Sequence, residues 1–405
     1  MSRVYAALVA LATLEATAAR AQTYFPDRLA WETRTPEQMG MSSARLQEAI
    51  DFAIANESTA PKDLALAHYL SPFGREPYST LIGPTTVRAP LNGLVVKNGY
   101  IVAEWGETSK VDMTFSVTKT FLSTTVGLAW DRGLIRSLDD EVKDYIAPPE
   151  VDELFGSEHN RKITWDHLLR QTSDWEGTLW GKTDWGDRPE GESPSDWPDR
   201  VKHEPGTHYK YNDVRVNVLA LAALHVWRRP LPQVLNEHVM GPIGASSTWR
   251  WHGYENSWVE LDGAKVQSVT GGGHWGGGMH ISARDLARFG YLFLRNGEWK
   301  GQRIVSEDWI RLARTPGVNP GYGFMNWFLN QPYAGDDGTT RKSLPAAPDT
   351  AVTFRGAGAN VVYIDRENDL VVVVRWIGTG LEEFIARVLG SIQSAAPTEP
   401  AKNGR

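Results

Sequence analysis

The chain has 405 residues, no cysteine, 17 tryptophans and a formal net charge of −7. A composition of 41% hydrophobic and 22% charged residues is typical of globular proteins and excludes a wholly disordered chain. The absence of cysteine excludes disulfides, thiolate catalysis and cysteine-based zinc sites. The negative net charge argues against nucleic acid as a partner.

Residues 1–21 predict a secretory leader. Arg3 precedes an apolar run over 5–14, and residues 19–21 (Ala-Arg-Ala) form a small-residue cleavage site before Gln22. Glu15 departs from the pattern, and the alternative is an amphipathic helix that stays on the chain. No other stretch approaches the ~20 apolar residues of a membrane helix. We therefore expect an exported protein, periplasmic or secreted, with no integral membrane segment after leader removal.

The next elements are a helix, a hairpin and a second helix. Residues 42–56 have helical spacing after a serine cap. Two apolar runs at 94–96 and 100–105 flank an Asn-Gly turn, which is a strong hairpin signal. An apolar helix is then predicted over 116–131, ending before Gly133.

Residues 136–270 differ in character, with short helical segments and many turn residues. Ten of the 17 tryptophans lie between Trp165 and Trp275, and an apolar helix is predicted over 216–227. The glycine-rich segment 271–278 lacks the Lys and Ser/Thr of a phosphate-binding loop, so nucleotide binding is not supported. A capping box at Ser282 begins another helix.

The C-terminal part predicts a second hairpin over 360–376 and a helix over 382–392. Strands at both ends of the chain favour an α/β (α+β) fold, in which one antiparallel sheet is flanked by the terminal helices. We expect a discontinuous sheet domain from 22–135 and 271–395, a helical and loop insertion over 136–270, and a disordered tail over 396–405.

The chemistry centres on Ser116 and Lys119. At the start of a helix these side chains lie three residues apart on one face, so the serine hydroxyl and the lysine amine can meet. A neutral amine can serve as the base that a serine nucleophile needs. Such a pair is a weak signal alone, because an exposed serine and a solvated lysine give the same pattern. Its place after a hairpin, at the start of an apolar helix, favours the catalytic interpretation.

A second element follows about 90 residues later, where a Pro-Gly turn at 205–206 precedes Tyr211. A phenol can carry a proton between nucleophile and leaving group if a nearby cation lowers its pKa. The alternative is a structural tyrosine with a satisfied hydroxyl.

With these motifs in view, the chain resembles the serine β-lactamase and penicillin-binding protein superfamily. The resemblance spans roughly residues 40–392 and rests on the Ser-Val-Thr-Lys and Tyr-Asn-Asp motifs, a late glycine-rich strand, and two connecting segments at 163–173 and 278–289. It indicates the class C-like branch, which includes family VIII carboxylesterases, D-amino-acid peptidases and 6-aminohexanoate-dimer hydrolases.

The resemblance implies that Ser116 is the acyl-enzyme nucleophile, Lys119 its base and Tyr211 the second proton carrier. It implies oxyanion donors from the backbone amides of Ser116 and of a residue in 354–359, for which we choose Ala357. Two departures stand out. Asp213 replaces the family's asparagine and would hold Lys119 charged unless it is paired elsewhere. The late motif lacks its cationic first residue, which weakens the case for β-lactam turnover.

The remaining candidates concern substrate binding. Arg355 is a candidate carboxylate anchor, with a solvated surface arginine as the alternative. Gly356 and Gly358 accompany it in the late strand, and His280 follows the glycine-rich segment. Trp180 belongs to a cluster with the tryptophans at 175 and 185 that either lines an aromatic cleft or stiffens a loop. The histidines show no metal-binding spacing, so neither a metal nor a cofactor is predicted.

Three hypotheses remain open. The first is an exported serine hydrolase that cleaves small ester or amide bonds of a small-molecule substrate through Ser116. The second is a DD-peptidase or β-lactamase. The third is a non-catalytic binding protein on the same fold, motivated by Asp213. The sequence leaves the oligomeric state open.

Overall fold

The computed structural model describes residues 23–28, 30–335 and 337–393. The predicted leader and the predicted disordered tail lie outside these residues. In chain order, the α-helices are α1 (Ser43–Ala55), α2 (Leu64–Leu70), α3 (Thr118–Asp131), α4 (Glu150–Phe155), α5 (Trp165–Leu169), α6 (Asp213–Trp227), α7 (Leu231–Leu235), α8 (Ala283–Leu294), α9 (Glu307–Ala313) and α10 (Leu381–Gly390).

In chain order, the strands are β1 (Asn92–Lys97), β2 (Tyr100–Trp105), β3 (Asp112–Met113), β4 (Thr178–Leu179), β5 (Lys182–Thr183), β6 (Arg250–Leu261), β7 (Ala264–Val269), β8 (Gly278–Ile281), β9 (Glu298–Trp299), β10 (Gln302–Arg303), β11 (Phe328–Leu329), β12 (Tyr333–Ala334), β13 (Thr340–Arg341), β14 (Val352–Gly356), β15 (Asn360–Asp365) and β16 (Leu370–Arg375).

Strands from both ends of the chain form one six-stranded antiparallel sheet with the order β11-β14-β15-β16-β1-β2. The predicted hairpins are its building units. The first turns at Asn98 and Gly99, both with positive φ, as an Asn-Gly hairpin turn requires. The second joins β15 to β16, and β16 pairs with β1 along its whole length. The sheet predicted from the sequence is therefore present.

The two faces of this sheet bury different helices. Alternate residues of β16 point to opposite sides, so Val371 and Val373 join one core cluster, and Val372 and Val374 join the other. Helices α1 and α10 pack together on the second side, and α8 covers the first. Burial on both faces of the sheet explains why β16 is apolar at consecutive positions.

A second, four-stranded sheet has the order β3-β8-β6-β7 and leads directly to the site. The long hairpin of β6 and β7 lies in the region that the sequence analysis described as helices and loops. Its pairing shifts register between Gly253 and Trp258, which breaks the alternation that would have revealed a strand. Buried Arg375, at the end of β16, donates to the carbonyl oxygens of Met113 in β3 and Ile281 in β8 and so joins the two sheets.

The remaining helices pack beside the site. Helix α6 is buried on nearly all sides and contacts α3, α5 and α7. Its N-cap, Asn212, accepts a hydrogen bond from the amide of Arg215 and donates one to the carbonyl of Asp184. Among the described residues, no helix combines the length and the apolar composition that a membrane crossing requires.

Candidate active site

Ser116 lies in a single 3-10 turn, Phe115–Val117, immediately before α3. Phe115 has a φ of 50°, a left-handed conformation that is unusual for a bulky residue and turns the chain sharply before the serine. The segment is fixed from below by β8, since the amide of Thr114 donates to the carbonyl of Met279 and the amide of Met279 donates to the hydroxyl of Thr118. Ser116 is thus held at the edge of a pocket.

The Ser116–Lys119 pair meets in space. The Nζ of Lys119 lies 2.9 Å from the Oγ of Ser116, and the lysine side chain is fully buried. The same Nζ lies 2.7 Å from the Oδ1 of Asp213, the first residue of α6. Two helices therefore present serine, lysine and aspartate to one another.

Asp213 has a second cationic partner that the sequence analysis missed. The Nη1 of Arg188 lies 3.0 Å from the Oδ2 of Asp213, and Arg188 also pairs with Asp187. Burial alone would raise the pKa of Asp213, but the charges of Lys119 and Arg188 outweigh it and hold this pKa well below its usual range. Asp213 is thus a buried carboxylate shared by two cations.

Tyr211 precedes the cap of α6 and borders the same pocket. The Nζ of Lys119 lies over its ring, 4.6 Å from the centroid, and Tyr211 lines the same pocket as Ser116. Burial, followed by the charge of Asp213, raises the pKa of Tyr211 well above its usual range. The phenol is therefore protonated at neutral pH, and the lowering by a cation that the sequence analysis required is outweighed by burial, although Arg188 acts in that direction.

Strand β14 ends beside the nucleophile. A Cβ at Gly356 would lie 2.2 Å from the carbonyl oxygen of Thr114 and 3.1 Å from the amide nitrogen of Ser116, so only glycine permits this approach. Ala357 follows and lines the same pocket. The amides of Ser116 and Ala357 thus belong to adjoining segments, as a pair of oxyanion donors requires.

Arg355 also lines this pocket, whose volume is about 230 Å³. Its Nε donates to the hydroxyl of Thr353, and its guanidinium lies over the ring of Phe328. Burial lowers the pKa of Arg355. None of the ion pairs among the described residues involves Arg355, which therefore lines the pocket without an acidic partner there.

The glycine-rich segment makes room for the charged groups. A Cβ at Gly272 would lie 1.7 Å from the Oδ1 of Asp213 and 2.5 Å from the Nζ of Lys119. Side chains other than glycine would therefore displace the ion pair. The unusual run of glycines was the sequence signal for this position, but its long-range partner was not apparent.

His274, from the same segment, also lines the Ser116 pocket and extends the network of charged groups to Glu76. Its Nε2 lies 2.8 Å from Glu76, and its Nδ1 lies 3.7 Å from Asp187. These three residues bring ligand atoms within 4.8 Å of one another, as a metal site would require. Because Arg188 already pairs with Asp187, the arrangement here is a network of ion pairs and hydrogen bonds.

Three predicted binding residues lie elsewhere. Gly358 borders a neighbouring cavity rather than the Ser116 pocket. Trp180 packs edge-on against Tyr254, and His280 packs against the ring of His252; neither lines the pocket. Burial, followed by the charge of His252, lowers the pKa of His280 to about 4. The structure therefore brings together Ser116, Lys119, Tyr211, Asp213, Arg355, Gly356 and Ala357.

An antiparallel sheet flanked by helices, with a serine and a lysine at the start of a buried helix, defines the β-lactamase/transpeptidase class of fold. Similar solved structures include EstCE1, a hydrolase with promiscuous acyltransferase activity (16% identity, 87% of this chain and 98% of that chain, TM-score 0.54), and a family VIII carboxylesterase (17% identity, 87% and 98%, TM-score 0.53). A β-lactamase/D-alanine carboxypeptidase from Pseudomonas syringae is 13% identical over 88% of this chain and 99% of that chain, with a TM-score of 0.50.

The chain belongs to the Beta-lactamase family, whose family model matches residues 94–385. A similar curated protein is Protein Rv1367c from Mycobacterium tuberculosis (strain ATCC 25618 / H37Rv), which is 25% identical over 147 residues. That match covers 31% of this chain and 36% of the relative, so the chain spans about a third of that protein's length.

Proposed function

We propose that this chain is an exported serine hydrolase that cleaves small ester or amide bonds through an acyl-enzyme on Ser116. The observation that carries the proposal is the contact of 2.9 Å between the Ser116 hydroxyl and the Lys119 amine, in a pocket that Tyr211 also borders. Membership in the Beta-lactamase family supports it. Export rests on the leader-like sequence 1–21 and is tested by a secreted product that begins at Gln22.

Acylation begins with a proton transfer from Ser116 to Lys119, and this requires the neutral amine. Asp213 favours the ammonium, but Arg188 shares Asp213 and keeps the carboxylate paired when Lys119 gives up its charge. The carbonyl oxygen of the substrate then accepts from the amides of Ser116 and Ala357. One such donor contributes about 10²–10³ in rate.

The leaving group receives its proton from Tyr211, whose raised pKa keeps the phenol protonated. Tyr211 is reprotonated by the ammonium of Lys119. Water then attacks the acyl carbon and gives a proton to the neutral amine of Lys119. The bond between the acyl carbon and the Oγ of Ser116 breaks, the ammonium of Lys119 returns the proton to that oxygen, and the acid and free Ser116 are released. General acid–base catalysis of this kind contributes about 10²–10⁴ in rate.

The proposal is tested by comparing Ser116→Ala with Ser123→Ala, a control that removes a buried serine hydroxyl from α3. We expect Ser116→Ala to lose at least about 10³-fold in hydrolysis of p-nitrophenyl acetate, and Ser123→Ala to keep its activity. A fluorophosphonate should label Ser116 in the wild-type protein, as read by mass spectrometry. Full activity in Ser116→Ala would contradict the proposal, and wild-type protein with neither labelling nor turnover would support a non-catalytic binding protein.

A second candidate, a DD-peptidase or β-lactamase, is favoured by Arg355. A mostly buried guanidinium, with no acidic partner among the residues that the structure describes, suits a substrate carboxylate, which penicillins and D-Ala-D-Ala peptides carry. Stable labelling by a fluorescent penicillin, lost in Arg355→Met, would support this candidate. Turnover of neutral esters without labelling would favour the first function.

A further inference from the structure

A second cavity, here called the side cavity, adjoins the Ser116 pocket. It has a volume of about 130 Å³ and shares Phe73, Phe115 and Ala357 with that pocket. Its other walls include Leu64 and Trp376. The side cavity therefore begins at the residues that flank the proposed oxyanion donors.

Two walls of the side cavity are aromatic residues in a strained conformation. Phe115 has a φ of 50° and Trp376 a φ of 70°, and their rings pack edge to face with centroids 6.2 Å apart. Bulky residues are rare at positive φ, and such strain persists where the surrounding structure enforces it, often at ligand sites. The indole of Trp376 is held by a hydrogen bond of 3.0 Å to Asp112, and a Cβ at Gly358 would lie 2.5 Å from its ring.

The polar groups at the side cavity already have partners. Arg88 donates to Glu57 and to the carbonyl oxygens of Ser58, Ala60 and Ala89. The Nε2 of His68 lies 2.7 Å from the carbonyl oxygen of Ser79. Because these groups are satisfied within the protein, the cavity favours an apolar occupant.

The position of the proton carriers assigns the side cavity to one half of the substrate. A leaving group must lie beside its proton donor. Tyr211 borders the Ser116 pocket and does not line the side cavity, whose walls include Ala357 and Phe115. The side cavity therefore lies on the acyl side of the scissile bond.

We propose that the side cavity binds an apolar acyl group, branched or aromatic and about the size of a phenyl ring. This inference rests on the proposed function, since it requires an acyl-enzyme on Ser116. The size follows from the volume, because an apolar cavity of about 150 Å³ accommodates benzene. Each buried methylene contributes about 0.8 kcal/mol, so several buried carbons amount to at least a tenfold preference.

The test uses p-nitrophenyl esters that differ only in the acyl group. Wild-type protein should hydrolyse p-nitrophenyl phenylacetate with a kcat/KM at least about tenfold above that for the acetate. Leu64→Trp fills the side cavity and should abolish this preference, read as the ratio of kcat/KM for the two esters. Leu66→Trp is the matched control, since Leu66 lies on the same helix, is 50% exposed and does not line the cavity.

Further comparisons separate failure of this inference from failure of the proposed function. Leu64→Ala, which enlarges the cavity, should shift the preference toward longer acyl chains even if Leu64→Trp does not fold. Ser116-dependent hydrolysis with no acyl preference in wild-type protein would overturn the inference and leave the proposed function standing. If Leu64→Trp lowered the hydrolysis of 1-naphthyl acetate and not that of p-nitrophenyl phenylacetate, the leaving group would occupy the side cavity. This result would also overturn the inference. No Ser116-dependent hydrolysis of any ester would remove both.

Discussion

At the scale of single residues, the shared carboxylate of Asp213 distinguishes this site. Its oxygens lie 2.7 Å from Lys119 and 3.0 Å from Arg188, and burial leaves water little part in balancing these charges. Removing one member of a buried ion pair costs about 3–5 kcal/mol, because the partner stays buried without a counter-charge. Asp213 therefore serves both the stability of the fold and the placement of the Lys119 amine.

We expect Asp213→Asn to lower the free energy of unfolding by about 3–5 kcal/mol at pH 7 and to reduce ester hydrolysis. The loss depends on pH. The fold lowers the pKa of Asp213. The stabilisation that the Asp213 carboxylate provides is therefore fully present above its ordinary pKa of 3.8, and it is lost as the pH falls from there through the lower pKa of the folded state. Urea unfolding at pH 7 and pH 3 should show a smaller difference between variant and wild type at pH 3.

Asp262→Asn is the control for this prediction, since Asp262 pairs with Arg228 on the surface and is 61% exposed. Its effect on the free energy of unfolding should be much smaller than that of Asp213→Asn, because an exposed ion pair contributes little. An equal destabilisation by both variants, or a difference for Asp213→Asn that grows on acidification, would contradict the shared-carboxylate account.

The sequence predicted the contact between two residues that are close in the chain, and the structure adds the contacts between residues that are far apart in the chain. Ser116 and Lys119 were found because helical geometry fixes their spacing. Arg188 has no local pattern that marks it, and only folding brings it to Asp213. Arg188 itself has a φ of 50°, a turn that no motif in the sequence predicted.

At the scale of elements, the glycine-rich segment fits around the ion pair. Four of its residues have positive φ, namely Gly273, Gly276, Gly277 and Gly278, so the chain can fold tightly beside the site. Gly272 does not need that freedom. It is required because its missing side chain leaves the space that Asp213 and Lys119 occupy.

Gly272→Ala is expected to disrupt the ion pair, since a Cβ would lie 1.7 Å from the Oδ1 of Asp213. Ester hydrolysis should fall by at least about tenfold, and thermal unfolding should occur at a lower temperature. Gly390→Ala, where a Cβ would meet nothing within 4 Å, should leave both unchanged. Comparable losses of activity and thermal stability in the two variants would contradict a specific role of Gly272 beside the ion pair.

The elements that the sequence predicted correctly share a strong local signal. Ser42 and Ser282 cap α1 and α8 as expected, and both β-hairpins turn where predicted. The helix predicted from Ser116 begins as a 3-10 turn instead, because Phe115 reverses the chain direction before α3. The hairpin of β6 and β7 was missed because its register shift interrupts the alternating pattern.

At the scale of the whole molecule, the chain ends build the six-stranded sheet and the middle of the chain covers the site. We propose that 22–135 and 271–395 form one domain and that 136–270 is an insertion. Two tryptophans of that insertion serve packing: Trp175 is buried and donates to the carbonyl of Leu154, and Trp185 packs on Tyr78. Trp376, which follows β16, lines the side cavity next to the candidate site.

The packing of α1 and α10 on the sheet stabilises the fold at a distance from the candidate active site. Helix α10 packs with α1 on the sheet face away from α8, and Phe384 is fully buried against Trp105. We expect Phe384→Ala to cost about 3–5 kcal/mol in unfolding free energy, with kcat/KM nearly unchanged well below the melting temperature. The neighbouring surface variant Glu383→Ala should alter stability by less than about 1 kcal/mol. A large loss of kcat/KM in folded Phe384→Ala protein would contradict this separation.

Arg375 links the two sheets and so affects local unfolding of the molecule. Its guanidinium donates to Asn360 in the six-stranded sheet and to the carbonyl oxygens of Met113 and Ile281 in the other. Separating the two sheets would leave the buried charge of Arg375 without hydrogen-bond partners, which costs several kcal/mol. Local opening of either sheet alone is therefore suppressed. The backbone amides on either side of Ser116 should exchange their hydrogens with solvent as slowly as those of the central strands, in one cooperative unit.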